Sequence, residues 1–255
     1  MANSSSGNLP APFLGPIFAP EINPEIGSGY YYDHSHNSND AIHGVEQHKA
    51  IDFGVPIGTP IYAPANGLTI ATYSEFLLGE KDDAGTFIPR MYEGKKVYFG
   101  SGLIIQIWHG KGRYTQYAHL DKVLPIIPYY RPIIDKDTGD LRPAHLRDAV
   151  SEYGKSVKVA KIKQGDLIGY TGVTGIGWGR RCYEDWLAGR DYTHYDDPHL
   201  HFMVFGKRLP RSRNTVAVWD PFGIYGKAAQ YPKGKSRWHI MENSLWLKQE
   251  RRQHG

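Results

Sequence analysis

Short runs of alternating apolar and polar residues, separated by glycine and proline, are the feature that most limits how this chain can fold. The clearest run is "LTIATY" at 68–73, which follows the turn sequence "PANG" at 64–67. Successive side chains of a strand point to opposite faces, so this alternation predicts a strand. Asn-Gly before such a run is typical of a hairpin, and we expect the flanking strands to pair. The 29 glycines and 17 prolines favour a mainly β, antiparallel fold over a helical bundle.

Other segments extend this pattern or interrupt it. Residues 100–120 predict two strands around "HGKG", and residues 156–172 predict further strands with a tight turn at "KQGD". Helical spacing of apolar residues occurs instead at 143–154 and 180–189, and a third short helix is an option at 242–253. We interpret the first two as short helices within insertions.

The sequence divides into an arm, one domain and a tail. Residues 1–44 begin rich in Ser, Gly, Pro and Asn, and they predict an extended arm that either wraps the core or is partly disordered. Residues 45–226 contain the strand segments and predict one domain, and residues 227–255 form a tail for which a helix is one option. The long segments within the domain predict three insertions, at about 76–99, 121–155 and 176–197.

Charge and cysteine content exclude several classes of protein. The formal net charge is +4, a mild basic bias that suits polyanionic surroundings but does not indicate nucleic-acid binding. The single cysteine, Cys182, excludes a disulfide framework and a cysteine-based zinc site. Any metal must therefore be bound by histidine and carboxylate side chains. No segment is long enough for a membrane-spanning helix, and the N-terminus lacks the pattern of a signal peptide.

Two short motifs bring together residue types that bind metals. In "DDPHLHF" at 196–202, His199 and His201 stand two positions apart, so on a strand they share a face. In "HKAID", His48 and Asp52 stand four apart, which in a fully extended chain is roughly 13 Å. Both can reach one ion only if the chain bends, so we expect His48 in a turn and Asp52 at the start of a strand. A histidine, an aspartate and a second histidine are donors typical of a catalytic zinc site with an open fourth position.

Five sequence blocks follow one another along the chain between residue 48 and residue 226. They are "HKAIDFGVPIGTPIYAPANGLTIA", "GSGLIIQIWHGKGRYTQYAHL", "VAKIKQGDLIGYTGVTG", "DPHLHFMVF" and "WDPFGIYG". In this order they resemble the successive blocks of the lysostaphin/LytM-type zinc endopeptidases, which cut peptide bonds in peptidoglycan. Each block alone is a modest match, whereas five in the same order are specific.

The resemblance implies a fold, a metal and a set of roles. The fold would be an antiparallel β-sheet or sandwich core of the LytM/lysostaphin type with short helical insertions. His48, Asp52 and His201 would bind one Zn²⁺. His199 and His119, the latter in "YAHL", would be the catalytic histidines that activate the water and stabilise the oxyanion. The substrate would be peptidoglycan peptides, and the protein would act outside the cell, in the periplasm or in the cell wall.

Several alternatives stay open at this stage. The three candidate ligands could be unrelated polar residues, and the catalytic pair could be structural histidines, the role that we favour for His109 in "WHGKG". The chain could also be a non-catalytic wall-binding or regulatory module, although such modules generally lack some of the five site residues that are present here. The long insertions favour a third hypothesis, in which the chain is a peptidase retargeted to a protein substrate. Within them, "LPIIPYYRPII" is either a packed strand or a partner surface. His43 or another residue of the arm could also plug the zinc in a latent form.

Overall fold

The computed structural model describes residues 11–28, 48–92, 94–144, 158–175, 184, 187–190, 198–208, 216–223 and 244–247. Over this part of the chain the elements are strands, and all their pairings are antiparallel, so the predicted mainly β, antiparallel fold is confirmed. The strands are β1 Glu25–Ser28, β2 Ile51–Gly54, β3 Pro60–Tyr62, β4 Gly67–Leu77, β5 Gly79–Lys81, β6 Phe87–Pro89, β7 Met91–Tyr92, β8 Lys95–Lys96, β9 Tyr98–Trp108, β10 Tyr114–Ala118, β11 Leu120–Val123, β12 Ile133–Ile134, β13 Leu141–Arg142, β14 Ala160–Ile162, β15 Leu167–Thr171, β16 His199–Arg208 and β17 Val216–Trp219.

Most of these strands belong to one sheet of ten strands. Its order is β1-β2-β16-β10-β9-β4-β13-β12, with β14 paired to β4 and β17 paired to β16. A second sheet contains β11, β15 and β3, and the insertion at 76–99 contributes two separate hairpins, β5–β6 and β7–β8. The predicted strands around "HGKG" are confirmed, because β9 and β10 pair directly across this turn.

The predicted hairpin at "PANG" is wrong. β3, which precedes it, pairs with β15 of the small sheet, whereas β4, which follows it, pairs with β9 of the large sheet. Ile61 of β3 and Tyr73 of β4 are both fully buried in one core. Each sheet supplies one side of that core, so the turn carries the chain from one sheet to the other.

The large sheet has one face in this core and a second face that holds the predicted site. Leu200 and Phe202 of β16 are fully buried in the core, where Ile168 of the small sheet also packs. His199 and His201 alternate with these residues along β16, so they lie on the opposite face of the sheet.

The arm and the tail meet in the same core. Leu14 forms a parallel bridge with Trp246, and the Leu14 N–H donates to the carbonyl of Leu245 at 2.9 Å. Leu14 and Ile17 of the arm are fully buried in this core. Residues 244–247, the described part of the tail, are not helical.

Trp246 packs deep in the core from this tail. Its ring lies 5.6 Å from the ring of Phe202 and 6.0 Å from that of Phe222, between centroids. Because the side chain is only 2% exposed, the tail contributes a large aromatic group to the interior of the fold. The division into arm, domain and tail stays a prediction.

The predicted insertion helices lie mostly outside the described residues. This holds for nearly all of 143–154, while in 180–189 the Ala188 N–H donates to the Glu184 carbonyl at 3.1 Å, as in an α-helix. The side chains of the apolar run at 124–134 differ in burial, since Ile127 is buried whereas Ile126 and Ile133 are about 70% exposed. No helix in the described ranges is long and apolar enough to cross a membrane.

His109 has a structural environment at the end of β9. One ring nitrogen, Nδ1, lies 3.0 Å from the Asn66 carbonyl, and Nε2 lies 2.9 Å from the Thr115 hydroxyl. Because a carbonyl only accepts hydrogen bonds, Nδ1 carries the proton and Nε2 accepts from Thr115. Burial lowers the pKa of His109 to about 4, against a smaller opposing effect of the Asn66 carbonyl.

Replacing Trp246 with alanine is expected to lower the free energy of unfolding by about 3–5 kcal/mol, because a buried aromatic side chain leaves a cavity. The matched control is Leu247→Ala, since Leu247 is 38% exposed, and its effect should be about 0.5 kcal/mol. Urea unfolding of both variants, followed by circular dichroism, measures the difference. Equal and small effects would show that the tail is not part of the cooperative core.

The burial of a neutral His109 should make the fold less stable in acid. The unfolded chain binds this proton at pH near 6.5 and the folded chain only near 4. Stability contributed by His109 is therefore complete above this window and is lost as pH falls through it, by up to about 3 kcal/mol. His109→Gln, which keeps a donor and an acceptor without titrating, should lose this part of the pH dependence. Urea midpoints of both proteins across the window test this, and identical pH slopes would contradict it.

Candidate metal centre

The site begins with the pairing of β16 to its two neighbours. Asp52 of β2 lies directly opposite His201 of β16 on one side, and Ala118 of β10 lies opposite His201 on the other. Cross-strand partners share a face of the sheet, so Asp52 and His201 project together. These two residues are 149 positions apart in the sequence.

His48 reaches this pair because the chain bends before β2. The bend is at Ala50, and β2 begins at Ile51, so that Asp52 is the second residue of the strand. The bend that the four-residue spacing requires is therefore present, but at Ala50 and not at His48, and Asp52 lies near the start of the strand as expected. The bend shortens the distance between the two side chains far below the extended length of the segment.

The three candidate ligands converge on one point. His48 Nε2 lies 3.2 Å from Asp52 Oδ2, His201 Nδ1 lies 3.0 Å from Asp52 Oδ1, and the two nitrogens are 3.3 Å apart. Zinc bonds of about 2.0–2.2 Å in a tetrahedral arrangement place ligand atoms roughly 3.3–3.6 Å from one another. Two imidazoles and one carboxylate at this spacing therefore fit a single zinc ion.

The protonation states of these ligands also suit a metal. Burial would raise the pKa of Asp52, but His48 and the hydrogen bonds from His201 and His48 hold it well below its usual range. Burial lowers the pKa of His201, against the opposing effect of Asp52. An ionised carboxylate and a neutral imidazole are the forms that bind metals.

The predicted catalytic pair lies beside these ligands. The ring centroids of His119 and His199 are 4.7 Å apart, and that of His119 is 5.8 Å from that of His201. His199 Nε2 lies 3.9 Å from Asp52 Oδ1. The structure thus places all five predicted site residues in one cluster, whereas His109 belongs to the structural contact described above. His43 lies outside the described residues.

His119 has an unusual backbone and a buried ring. It connects β10 to β11 with a φ of +61°, in the left-handed region that few non-glycine residues adopt. Its Nδ1 donates to the carbonyl of Thr174 at 2.8 Å. Burial lowers the pKa of His119 well below its usual value, and the neighbouring His199 and His201 lower it further. His119 is therefore a neutral imidazole whose Nε2 has a free lone pair.

Sequence reasoning missed the residue that holds His119. Thr174 belongs to "TGVTG", which composition alone identifies only as a strand end followed by loop glycines. The His119 ring is held by a main-chain carbonyl, a group that every residue has, so the type of side chain does not indicate this role. A local sequence signal for it does not exist.

No protein-family model and no curated protein matches the chain. Among solved structures it is similar to the catalytic domain of lysostaphin from Staphylococcus simulans, with 20% identity, a TM-score of 0.37 and coverage of 78% of this chain and 89% of that one. A mutant catalytic domain of the prophage-encoded protein EnpA from Enterococcus faecalis has 15% identity, a TM-score of 0.38 and coverage of 82% and 95%. A zinc-containing peptidase from Vibrio cholerae has 20% identity, a TM-score of 0.35 and coverage of 80% and 39%.

The chain spans about half of one longer lysostaphin structure, 53% of its length, and 39% of the Vibrio protein. At these identities the similarity concerns the fold and not the activity. The resemblance of the chain to peptidases of the lysostaphin and LytM type rests on its five sequence blocks.

Proposed function

We propose that this protein is a zinc-dependent metalloendopeptidase that hydrolyses peptide bonds in bacterial peptidoglycan, in stem peptides or cross-bridges. The observation that supports this most is the convergence of His48, Asp52 and His201 at distances of 3.0–3.3 Å, with two further histidines beside them. One Zn²⁺ would be held by these three residues. When bound, the zinc would polarise the scissile carbonyl and lower the pKa of its water to about 7.

The chain's own residues supply the remaining chemistry. Asp52 keeps a negative charge beside the two imidazoles that would hold the metal with it. The neutral Nε2 of His119 can accept a proton from the attacking water, and the resulting imidazolium can donate to the oxyanion or to the leaving amine. The ring of His199 is 4.7 Å from that of His119, so His199 lies close enough to take part in these proton transfers. Both histidines are fixed by the backbone of their strands or turns, so little reorganisation is needed.

The sequence resemblance supports the choice of substrate and location. The blocks from residue 48 to residue 226 resemble enzymes that cut peptidoglycan, and a net charge of +4 suits a polyanionic wall. We place the activity outside the cell, in the periplasm or in the wall. Within the insertion at 121–155, the exposed Ile126, Ile133 and Ile134 are the residues of the proposed partner surface.

The purified protein is expected to contain about one zinc per chain, and His201→Ala should lose it, because only two ligands remain. Elemental analysis measures the metal, and digestion of purified sacculi is run on the same samples. His109→Gln is the matched control, since it replaces a histidine outside the cluster and should retain zinc and activity.

The other outcomes separate the alternatives. Wild type that binds no zinc after reconstitution would overturn the mechanism and favour a non-catalytic wall-binding or regulatory module. Wild type that binds zinc, leaves sacculi intact and cleaves a protein substrate would identify a retargeted peptidase.

Replacing His119 or His199 with glutamine should leave zinc binding intact and slow cleavage by about 100- to 10,000-fold, because a group that transfers protons is lost while the ligands remain. The rate at which soluble peptides appear from sacculi, compared with zinc content, measures both effects. If one of the variants cleaves at the wild-type rate, the histidine that it lacks has only a structural role.

A further inference from the structure

Thr174 joins three segments of the chain next to His119. Its hydroxyl donates to the Leu120 carbonyl at 2.8 Å and accepts from the Leu103 N–H at 2.9 Å. Its own carbonyl accepts from His119 Nδ1 at 2.8 Å. All these groups are buried, so water does not compete for the hydrogen bonds.

Two glycines hold the Thr174 peptide in a fixed place. A Cβ on Gly102 would lie only 2.1 Å from the Thr174 carbonyl oxygen, and one on Gly175 would lie 2.2 Å from the Gly102 nitrogen. Both glycines have positive φ, +61° and +76°. The two backbones therefore approach more closely than any side chain would allow.

The same region of β9 also holds the backbone of His119. The His119 N–H donates to the Ser101 carbonyl at 2.8 Å, one residue before Gly102. A left-handed φ costs conformational energy in a histidine. It persists here because the hydrogen bonds of the His119 backbone and ring hold the residue in this conformation. Backbone and ring of His119 are thus held by adjacent groups, Ser101 directly and Gly102 through Thr174.

The Thr174 carbonyl decides which ring nitrogen of His119 bears the proton. A carbonyl only accepts, so Nδ1 is protonated and Nε2 is the nitrogen left for the cluster with His199 and His201. The opposite tautomer would place two lone pairs against each other at 2.8 Å. The hydroxyl bonds of Thr174 keep this carbonyl in position.

We infer that Thr174 is a positioning residue, which sets the tautomer and ring orientation of His119 through its main-chain carbonyl. The inference rests on the proposed function, because the catalytic role of His119 is part of that proposal. It also gives "TGVTG" a role that its composition does not reveal.

The test compares Thr174→Val with Thr174→Ser in the full-length chain. Valine has nearly the shape of threonine and lacks the hydroxyl, whereas serine keeps both hydroxyl bonds. A long-range ¹H–¹⁵N spectrum reports which ring nitrogen of a histidine is protonated, and His119→Gln identifies the signals of His119.

The expected result is a single Nδ1–H tautomer of His119 in wild type and in Thr174→Ser, and a mixture of tautomers in Thr174→Val. Zinc content should be unchanged in both variants, because neither touches a ligand. On sacculi, Thr174→Val should lower kcat by about 100-fold with little change in KM, and serine should restore it.

Two results would overturn the inference. One is an Nε2–H tautomer of His119 in the wild type, a result that does not depend on whether any variant folds. The other is a folded Thr174→Val that keeps the wild-type tautomer and turnover. If wild type cleaves no sacculi, the proposed function fails, whereas the tautomer comparison still decides the role of Thr174.

Discussion

The pairing of β16 with β2 on one side and β10 on the other is the constraint on which the site depends. It places His201 opposite Asp52 and opposite Ala118, the residue before His119. A slip of one residue would turn the histidines of β16 into the core. Leu200 and Phe202, fully buried on the other face, prevent this slip. Apolar packing on one face of the sheet thus determines the polar geometry on the other.

The cluster has an electrostatic consequence that the packing alone does not show. Three imidazoles, those of His48, His199 and His201, lie within 3.9 Å of the carboxylate of Asp52, and its pKa is held low, so the site contains a partly buried negative charge. Burial lowers the pKa values of His119 and His201, which favours the neutral form of both rings. A bound cation would balance it without protonating either ring. The metal-ligand geometry and the charge of the site therefore point to the same occupant.

Local patterns in the sequence predicted more of the site than of the fold around it. The spacing of His199 and His201 and the bend between His48 and Asp52 depend on a few consecutive residues, and both are found as expected. The hairpin at "PANG" failed because a turn sequence states where the chain reverses and not which strands it joins. That choice depends on which apolar faces meet in the core, here those of two different sheets.

By itself, the sequence determined the β character of the chain and, through its resemblance to a known family, predicted the five residues of the candidate site. Alternation and short spacings are properties of neighbouring residues, so they can be recognised in the sequence before the fold is known. Only the tertiary structure decided that His48 and His201, 153 positions apart, lie within 3.3 Å, and that the carbonyl of Thr174 selects the tautomer of His119. The physical reason is that both contacts depend on strand register and on main-chain groups, which are chemically alike in every residue and become specific only when the chain is folded.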